Sequence, residues 1–199
     1  MSQEKLGTEV RREQIVQAAL SVIASEGMQG LKVNELSRRV GIVPSAIYRH
    51  FKGKSEILDG VLDLIEERIL ENVKIVCAET DDAFERLKSL LLRHVQLILD
   101  YQAIPRIIFS EDVLAGRAER KSKLCRILGK YLDEVASIVR RGQEEGVIRP
   151  DVSPDTAALV FIGLFQPAAF FWHLTDGNFD VKGQAENAWR IYGDGMRKE

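Results

Sequence analysis

Cysteine is scarce: the 199 residues hold two, Cys77 and Cys125, too few for the disulfide framework of a small secreted domain. Five prolines and fifteen glycines exclude a collagen-like or proline-rich chain. Continuous apolar runs are short, six residues at Pro167–Trp172, against the roughly 20 of a membrane span. The opening MSQEKLGTEVRREQ lacks the apolar stretch of a secretory signal. Together these absences predict a cytoplasmic protein in a reducing compartment, with no membrane role. What is present is 45% hydrophobic and 29% charged residues, the balance of a globular chain rather than a disordered one. The length suits one sizeable domain or two small ones.

Signatures of catalysis are missing as well. The chain has no GxGxxG, Walker, HExxH, CxxC or serine-elbow motif. The acidic pairs Asp81-Asp82 and Glu144-Glu145 are adjacent, so they share no helix face and make poor acid–base couples. His50, His94 and His173 are scattered without metal-ligand spacing. No catalytic residue, metal or cofactor is expected, and an enzyme is the weakest of the readings.

The net charge of −2 hides a split. Residues 1–55 carry nine Lys/Arg against five Asp/Glu, and residues 56–199 carry nineteen against twenty-five. A pI near 6.0 is therefore compatible with DNA binding, because the basic charge need only occupy one face.

Hydrophobic periodicity is helical almost throughout, with no strand pattern and about nine helices. Val10–Ser25 places Ile15, Ala19 and Ile23 on one stripe, ended by Glu26-Gly27. A short helix follows at Val33–Val40, stopped by Gly41, and another at Pro44–Phe51, where Pro44 suits a first turn. A long helix starts near Lys54, with Ser55 as its cap. Thr80 or Asp81 opens the next, Pro105 a shorter one, and Ala118–Arg141 is another. Ser153-Pro154-Asp155 caps a helix to about Leu174, kinked at Pro167. Val181–Met196 is the last.

Two short helices joined by a glycine turn have helix-turn-helix dimensions. One helix fits the major groove while the other crosses behind and holds it. The stretch Gly27–Leu58, with Gly41-Ile42, Ile47-Tyr48-Arg49-His50-Phe51 and Lys54 at the matching positions, resembles the DNA-binding domain of the tetracycline-repressor (TetR) family. The resemblance covers about the first quarter of the chain. It implies an all-α fold: a three-helix DNA-binding bundle over residues 1–53, and a helical ligand-binding and dimerisation domain over 54–199. It also implies the partners, namely a double-stranded DNA operator, a second copy of the chain and a small apolar or amphipathic effector. Two positions depart from the family pattern. Leu31-Lys32 replace a usual Thr-containing cap, with Lys32 left to contact phosphate by charge. Val43 stands where a capping Ser is common.

The DNA-contact candidates follow from this. Tyr48 has an aromatic face for sugar or thymine methyl and a hydroxyl for phosphate. Arg49 suits a guanine edge or a phosphate. Ser45 and Ala46 sit at family base-reading positions and Pro44 is expected exposed beside them on the recognition helix, while Lys32, His50 and Lys54 are phosphate candidates. Arg11 and Arg12 read equally well as contacts or as ordinary surface charge. In the C-terminal part, Phe161, Phe165, Ala168 and Trp172 share a helix face that, with Trp189 and Tyr192, is expected to meet a partner subunit. Polar or aromatic residues in apolar surroundings are the candidates to line an effector pocket: His94, Tyr101, Phe109, Cys125, Gln166, Phe170 and His173. Mutual satisfaction in a closed core is the alternative for each. A factor of the same fold controlled by a protein partner, or by nothing, also remains open.

Overall fold

The computed structural model describes residues 3–198, and no strand occurs among them. The helices are α1 (Gln3–Gly30), α2 (Val33–Val40), α3 (Pro44–Tyr48), α4 (Lys54–Glu79), α5 (Ala83–Asp100) and α6 (Ala103–Ile108). A wide π turn (Asp112–Gly116) follows, then α7 (Ala118–Glu144), α8 (Pro154–Gly163), α9 (Gln166–Leu174) and α10 (Val181–Met196). Packing sorts them into two compact units. One runs to Glu67 and takes in Tyr101–Leu124; the other holds Arg68–Asp100 and everything from Cys125 onward.

In the first unit the predicted stripe of α1 is its core face: Ile15, Val16, Ala19, Leu20, Val22 and Ile23 are all buried. Helical bonding continues past Ser25, but Gly27 adopts φ 71° and breaks the axis. Arg106 of α6 braces this break, donating from Nη1 to the Ala24 carbonyl at 3.0 Å. α2 stops at Gly41, whose left-handed φ of 74° costs glycine nothing. α3 is shorter than expected, since Arg49 and His50 form a turn and Phe51 N–H bonds back to the Ile47 carbonyl at 2.9 Å. At the start of α4 the Gly53 carbonyl and the Glu56 carboxylate do the capping, accepting from Ile57 N–H and Lys52 N–H. Ser55, expected as the cap, lies inside the first turn, where its Oγ accepts from Arg120.

In the second unit Asp82, rather than Thr80 or Asp81, caps α5 by accepting from Glu85 N–H at 2.8 Å. Ser153 caps α8 as expected, and Asp180 caps α10. The single kinked helix expected over 153–174 is two helices broken at Leu164-Phe165. Pro167 therefore sits in the first turn of α9, where a missing N–H has no partner to lose. By length and composition the stretch Pro154–Leu174 could cross a membrane. It instead turns Ala158, Phe161, Phe165, Ala168 and Ala169 into the interior of its unit.

That interior is aromatic. The His94 ring lies 4.0 Å from that of Phe165 and 5.4 Å from that of Tyr131. Phe161 meets Phe165 and Tyr192 edge-on, and the Tyr192 hydroxyl donates to the Ala157 carbonyl at 3.1 Å. This corrects the expected partner-facing surface. Phe161, Phe165, Ala168 and Tyr192 are buried within their own chain, where Phe165 stacks on His94 of α5 and Phe161 packs against Tyr192 of α10. Trp172 is half-buried, and Trp189 packs edge-on to Phe84. The outward apolar residues of these three helices include Leu159 and Val160 of α8, Phe170, Phe171 and Leu174 of α9, and Ile191 of α10, which is 79% exposed.

Burial pushes the His94 imidazole down to about 3, and its Nδ1 is enclosed without a partner. An unfolded chain would bind that proton near pH ~6.5. Stability is therefore full above pH ~6.5 and is lost as the pH falls toward the depressed folded value, by up to ~1.4 kcal/mol per pH unit. His94→Phe should flatten the dependence of urea-unfolding free energy on pH between about 6.5 and 4.5. An unchanged slope would exclude His94 as its source.

Candidate nucleic-acid interface

A five-residue helix has room for one inward and several outward side chains. Ile47 points in with no exposure, and Phe51 follows it at 1%. At 100° per residue this phase turns Ser45, Tyr48 and Arg49 outward. Tyr48 is 57% exposed, which rules out a core role; Pro44, Ser45 and Arg49 are exposed, and Ala46 and His50 half-buried. Val43 makes no side-chain cap bond, and the Ala46 N–H turns to the Val43 carbonyl at 2.9 Å. Lys32 likewise caps α2 by position only, with its side chain exposed and without a cap bond.

Arginines fasten this reading head. Arg39 of α2 donates to Ser21, Ser25 and Glu26 of α1 at 2.8, 3.0 and 2.7 Å. Arg39 and Arg38 both grip Glu35, and these bonds hold its carboxyl down to about 2. Arg12 stacks over the Phe51 ring at 4.1 Å and donates to the His50 carbonyl. Arg12 thus ties α1 to the turn after α3, a role the sequence left undecided between contact and plain surface charge. The His50 Nδ1 is enclosed without a partner. Burial, then the charges of Arg12, Arg11 and Arg49, lowers its pKa below the ordinary histidine value. An approaching phosphate meets a concentrated positive field here.

Lys54, the third phosphate candidate, is engaged within the chain. Its Nζ lies 3.1 Å from Asp112 Oδ2 and donates to the Met28 carbonyl at 3.3 Å. Buried Arg120 binds Asp59, Ser55 and the Asp112 carbonyl. Neither Asp112 nor Arg120 was singled out in the sequence, where 58 and 66 residues separate them from Lys54.

The effector-pocket candidates scatter. Tyr101 and Phe109 belong to the first unit, half-buried and exposed respectively. In the second unit Gln166 and His173 are half-buried on α9. Cys125, expected in an apolar pattern, is exposed, because Leu124, Ile127 and Tyr131 form the inward stripe of α7 and Cys125 lies about 100° round from it. Phe170 is also exposed, because α9 turns its small residues Ala168 and Ala169 inward. His94, enclosed with Tyr131, keeps a buried position; the Tyr131 hydroxyl, like His94 Nδ1, has no hydrogen-bond partner.

The sequence matches two family models: bacterial regulatory proteins of the tetR family over residues 15–61, and the tetracyclin repressor-like C-terminal domain over residues 80–196. It is similar to the nucleoid occlusion factor SlmA of Shewanella sediminis, at 30% identity over 135 residues, covering 65% of this chain and 66% of that protein. The chain thus matches just under two thirds of the length of that relative. It is also similar to the fatty acid metabolism regulator protein of Bacillus subtilis, at 22% identity over 186 residues, covering 94% of this chain and 95% of that one. In fold it resembles the transcriptional regulator FadR from Bacillus subtilis, solved in complex with stearoyl-CoA: TM-score 0.75, 23% identity, 93% of this chain and 99% of that chain.

Tyr48→Ala and Arg49→Ala should each weaken operator binding by about 1–3 kcal/mol, the worth of a base-edge contact. Neither should cost more than about 0.5 kcal/mol of folding stability, since both are surface positions. Gel-shift titration and thermal unfolding on the same variants separate the two. A large loss of melting temperature with unchanged DNA affinity would contradict the assignment.

Proposed function

The chain belongs to the TetR family of bacterial regulatory proteins, and we propose that it is a dimeric repressor that releases a palindromic operator on binding an apolar effector. It is a DNA-binding transcriptional regulator, as its family is. In this reading residues 1–53 read DNA and residues 54–199 sense and dimerise. Pro44, Ser45, Ala46, Tyr48 and Arg49 face the bases, while Lys32, His50 and Lys54 hold phosphates. The observation that carries it is the outward phase of Ser45, Tyr48 and Arg49 around a buried Ile47.

One five-residue helix reads too few bases to find an operator, so two copies are needed, with recognition helices about 34–36 Å apart. Leu159 and Ile191, apolar and exposed, suit the subunit contact. Ile191→Glu should shift the sedimentation profile toward monomer and weaken operator binding in parallel. A dimer of unchanged stability would move the contact elsewhere.

Support for an acyl-type effector comes from the relative named for fatty acid metabolism, and from the similar fold crystallised with stearoyl-CoA. The unpartnered His94 Nδ1 and Tyr131 hydroxyl suit a neutral polar group on an otherwise apolar molecule. A ligand that displaces α4 changes the spacing of the two heads, and it represses DNA binding only if it prefers the off-spacing state. The nucleoid occlusion relative favours a second reading, a DNA-bound factor that no small molecule releases. Calorimetric titration of stearoyl-CoA with and without bound operator decides between them. Induction requires weaker ligand binding to the operator complex, by the same factor as the ligand weakens DNA binding. Equal affinities would leave the second reading.

A further inference from the structure

Lys54 stands at the first position of α4, and its ammonium already has an anion. Asp112 Oδ2 is 3.1 Å from Nζ, and both side chains remain open to solvent, 38% exposed for Lys54 and 41% for Asp112. An ion pair this exposed adds little to stability and is easily exchanged. Its placement is nonetheless controlled. Asp112 opens the π turn, a locally widened stretch of helix of the kind found at functional sites. The main-chain carbonyl of Asp112 is held by Arg120 Nη1 at 2.9 Å. The same guanidinium, 5% exposed, donates to the Ser55 carbonyl at 3.0 Å, to Ser55 Oγ at 2.5 Å and to Asp59 Oδ1 at 2.9 Å. Lys123 adds bonds to the Asp59 carbonyl at 2.7 Å and to Asp63 at 2.6 Å. The turn that carries Asp112 is therefore clamped to the helical turn that carries Lys54.

We propose that Asp112 is an internal counter-anion of Lys54, occupying the place a DNA phosphate takes when the operator binds. Operator binding exchanges one anion for another, and Arg120 is the positioning residue that delivers the carboxylate. The inference rests on the reading of Lys54 as a phosphate ligand. Its consequence is a built-in brake on DNA affinity. When phosphate displaces Asp112, the freed carboxylate gathers a cation from solution, which offsets part of the counterion release that drives binding. Any movement of the π turn away from α4 would release the brake, and any ligand that presses it toward α4 would tighten it.

The test uses the full-length protein and fluorescence titration with operator and with random duplex DNA over a range of salt. Asp112→Asn removes the charge, keeps the size, and keeps the main-chain carbonyl that Arg120 binds. It should tighten binding to both DNAs by about 3- to 10-fold near 0.1 M salt and steepen the salt slope by up to about one. Glu111→Gln changes the net charge equally one residue away and should leave the slope unaltered. Lys54→Ala should weaken binding and make the slope shallower by whatever part of about one Asp112 does not already offset, and adding Asp112→Asn to it should restore nothing. If Lys54→Ala weakens binding while Asp112→Asn does not tighten it, the counter-anion is overturned and the phosphate reading of Lys54 stands. If Lys54→Ala has no effect, that reading fails and the inference fails with it. A gain that persists without Lys54, or that Glu111→Gln reproduces, marks a general charge effect and also overturns it. So does an Asp112→Asn protein that melts well below the wild type and binds DNA less tightly, which would make Asp112 a structural strut.

Discussion

A helix of five residues closes barely one turn and has no stability of its own in water. α3 owes its existence to the burial of Ile47 and Phe51 against its neighbours. Each such side chain contributes roughly 1.5–3 kcal/mol when removed from water. The site around Phe51 is tight: a Cβ on Gly60 would come within 3.1 Å of the Phe51 ring and 3.2 Å of Val16. Arg12 lies over that ring and binds the His50 carbonyl. With those two anchors in place, the helical phase sends Tyr48 and Arg49 to solvent, where the proposed function assigns them to the DNA.

The charged residues around this head have divided duties. Arg39 spends its donors on α1 and Glu35, and Arg120 spends its own on α4 and the π turn. Both are structural cations, satisfied by carboxylates, carbonyls and hydroxyls of their own chain. Arg49, Lys32, Lys52 and the half-exposed Lys54 are among the charges left near the surface. The excess of basic residues in the first 55 positions therefore overstates the charge available to DNA. Position decides which cations can exchange an internal partner for a phosphate.

The second unit solves a different problem. α8 and α9 are apolar nearly all round, so they must bury one side and leave another for a partner or for solvent. The large rings of Phe161 and Phe165 went inward, against His94 and Tyr192, leaving Leu159, Val160, Phe170 and Phe171 outside. Enclosing a histidine and a tyrosine hydroxyl without partners carries a desolvation cost. A unit that tolerates it holds two hydrogen-bonding positions in reserve within an apolar interior.

Local rules in the sequence determined most of the helices, the glycine stop after α2 and the phase of α3, because a periodicity of 3.6 acts over a few residues; of the caps expected for α4, α5 and α8, only the last stands where the sequence placed it. Ser153 at its cap and Ile47 beside Tyr48 are legible in this way. The sequence did not decide which face of an all-apolar helix turns inward, since no polar side marks the phase; Phe161 and Tyr192 were therefore assigned to the wrong surface. Nor could it reveal the break at Leu164-Phe165, where Pro167 starts a helix instead of bending one. Least legible were the Arg120 clamp and the Lys54–Asp112 pair. Their partners lie roughly sixty residues apart in the chain, and an ion pair between distant positions leaves no periodic trace. Only the packing of α4, the π turn and α7 brought those charges within reach of one another.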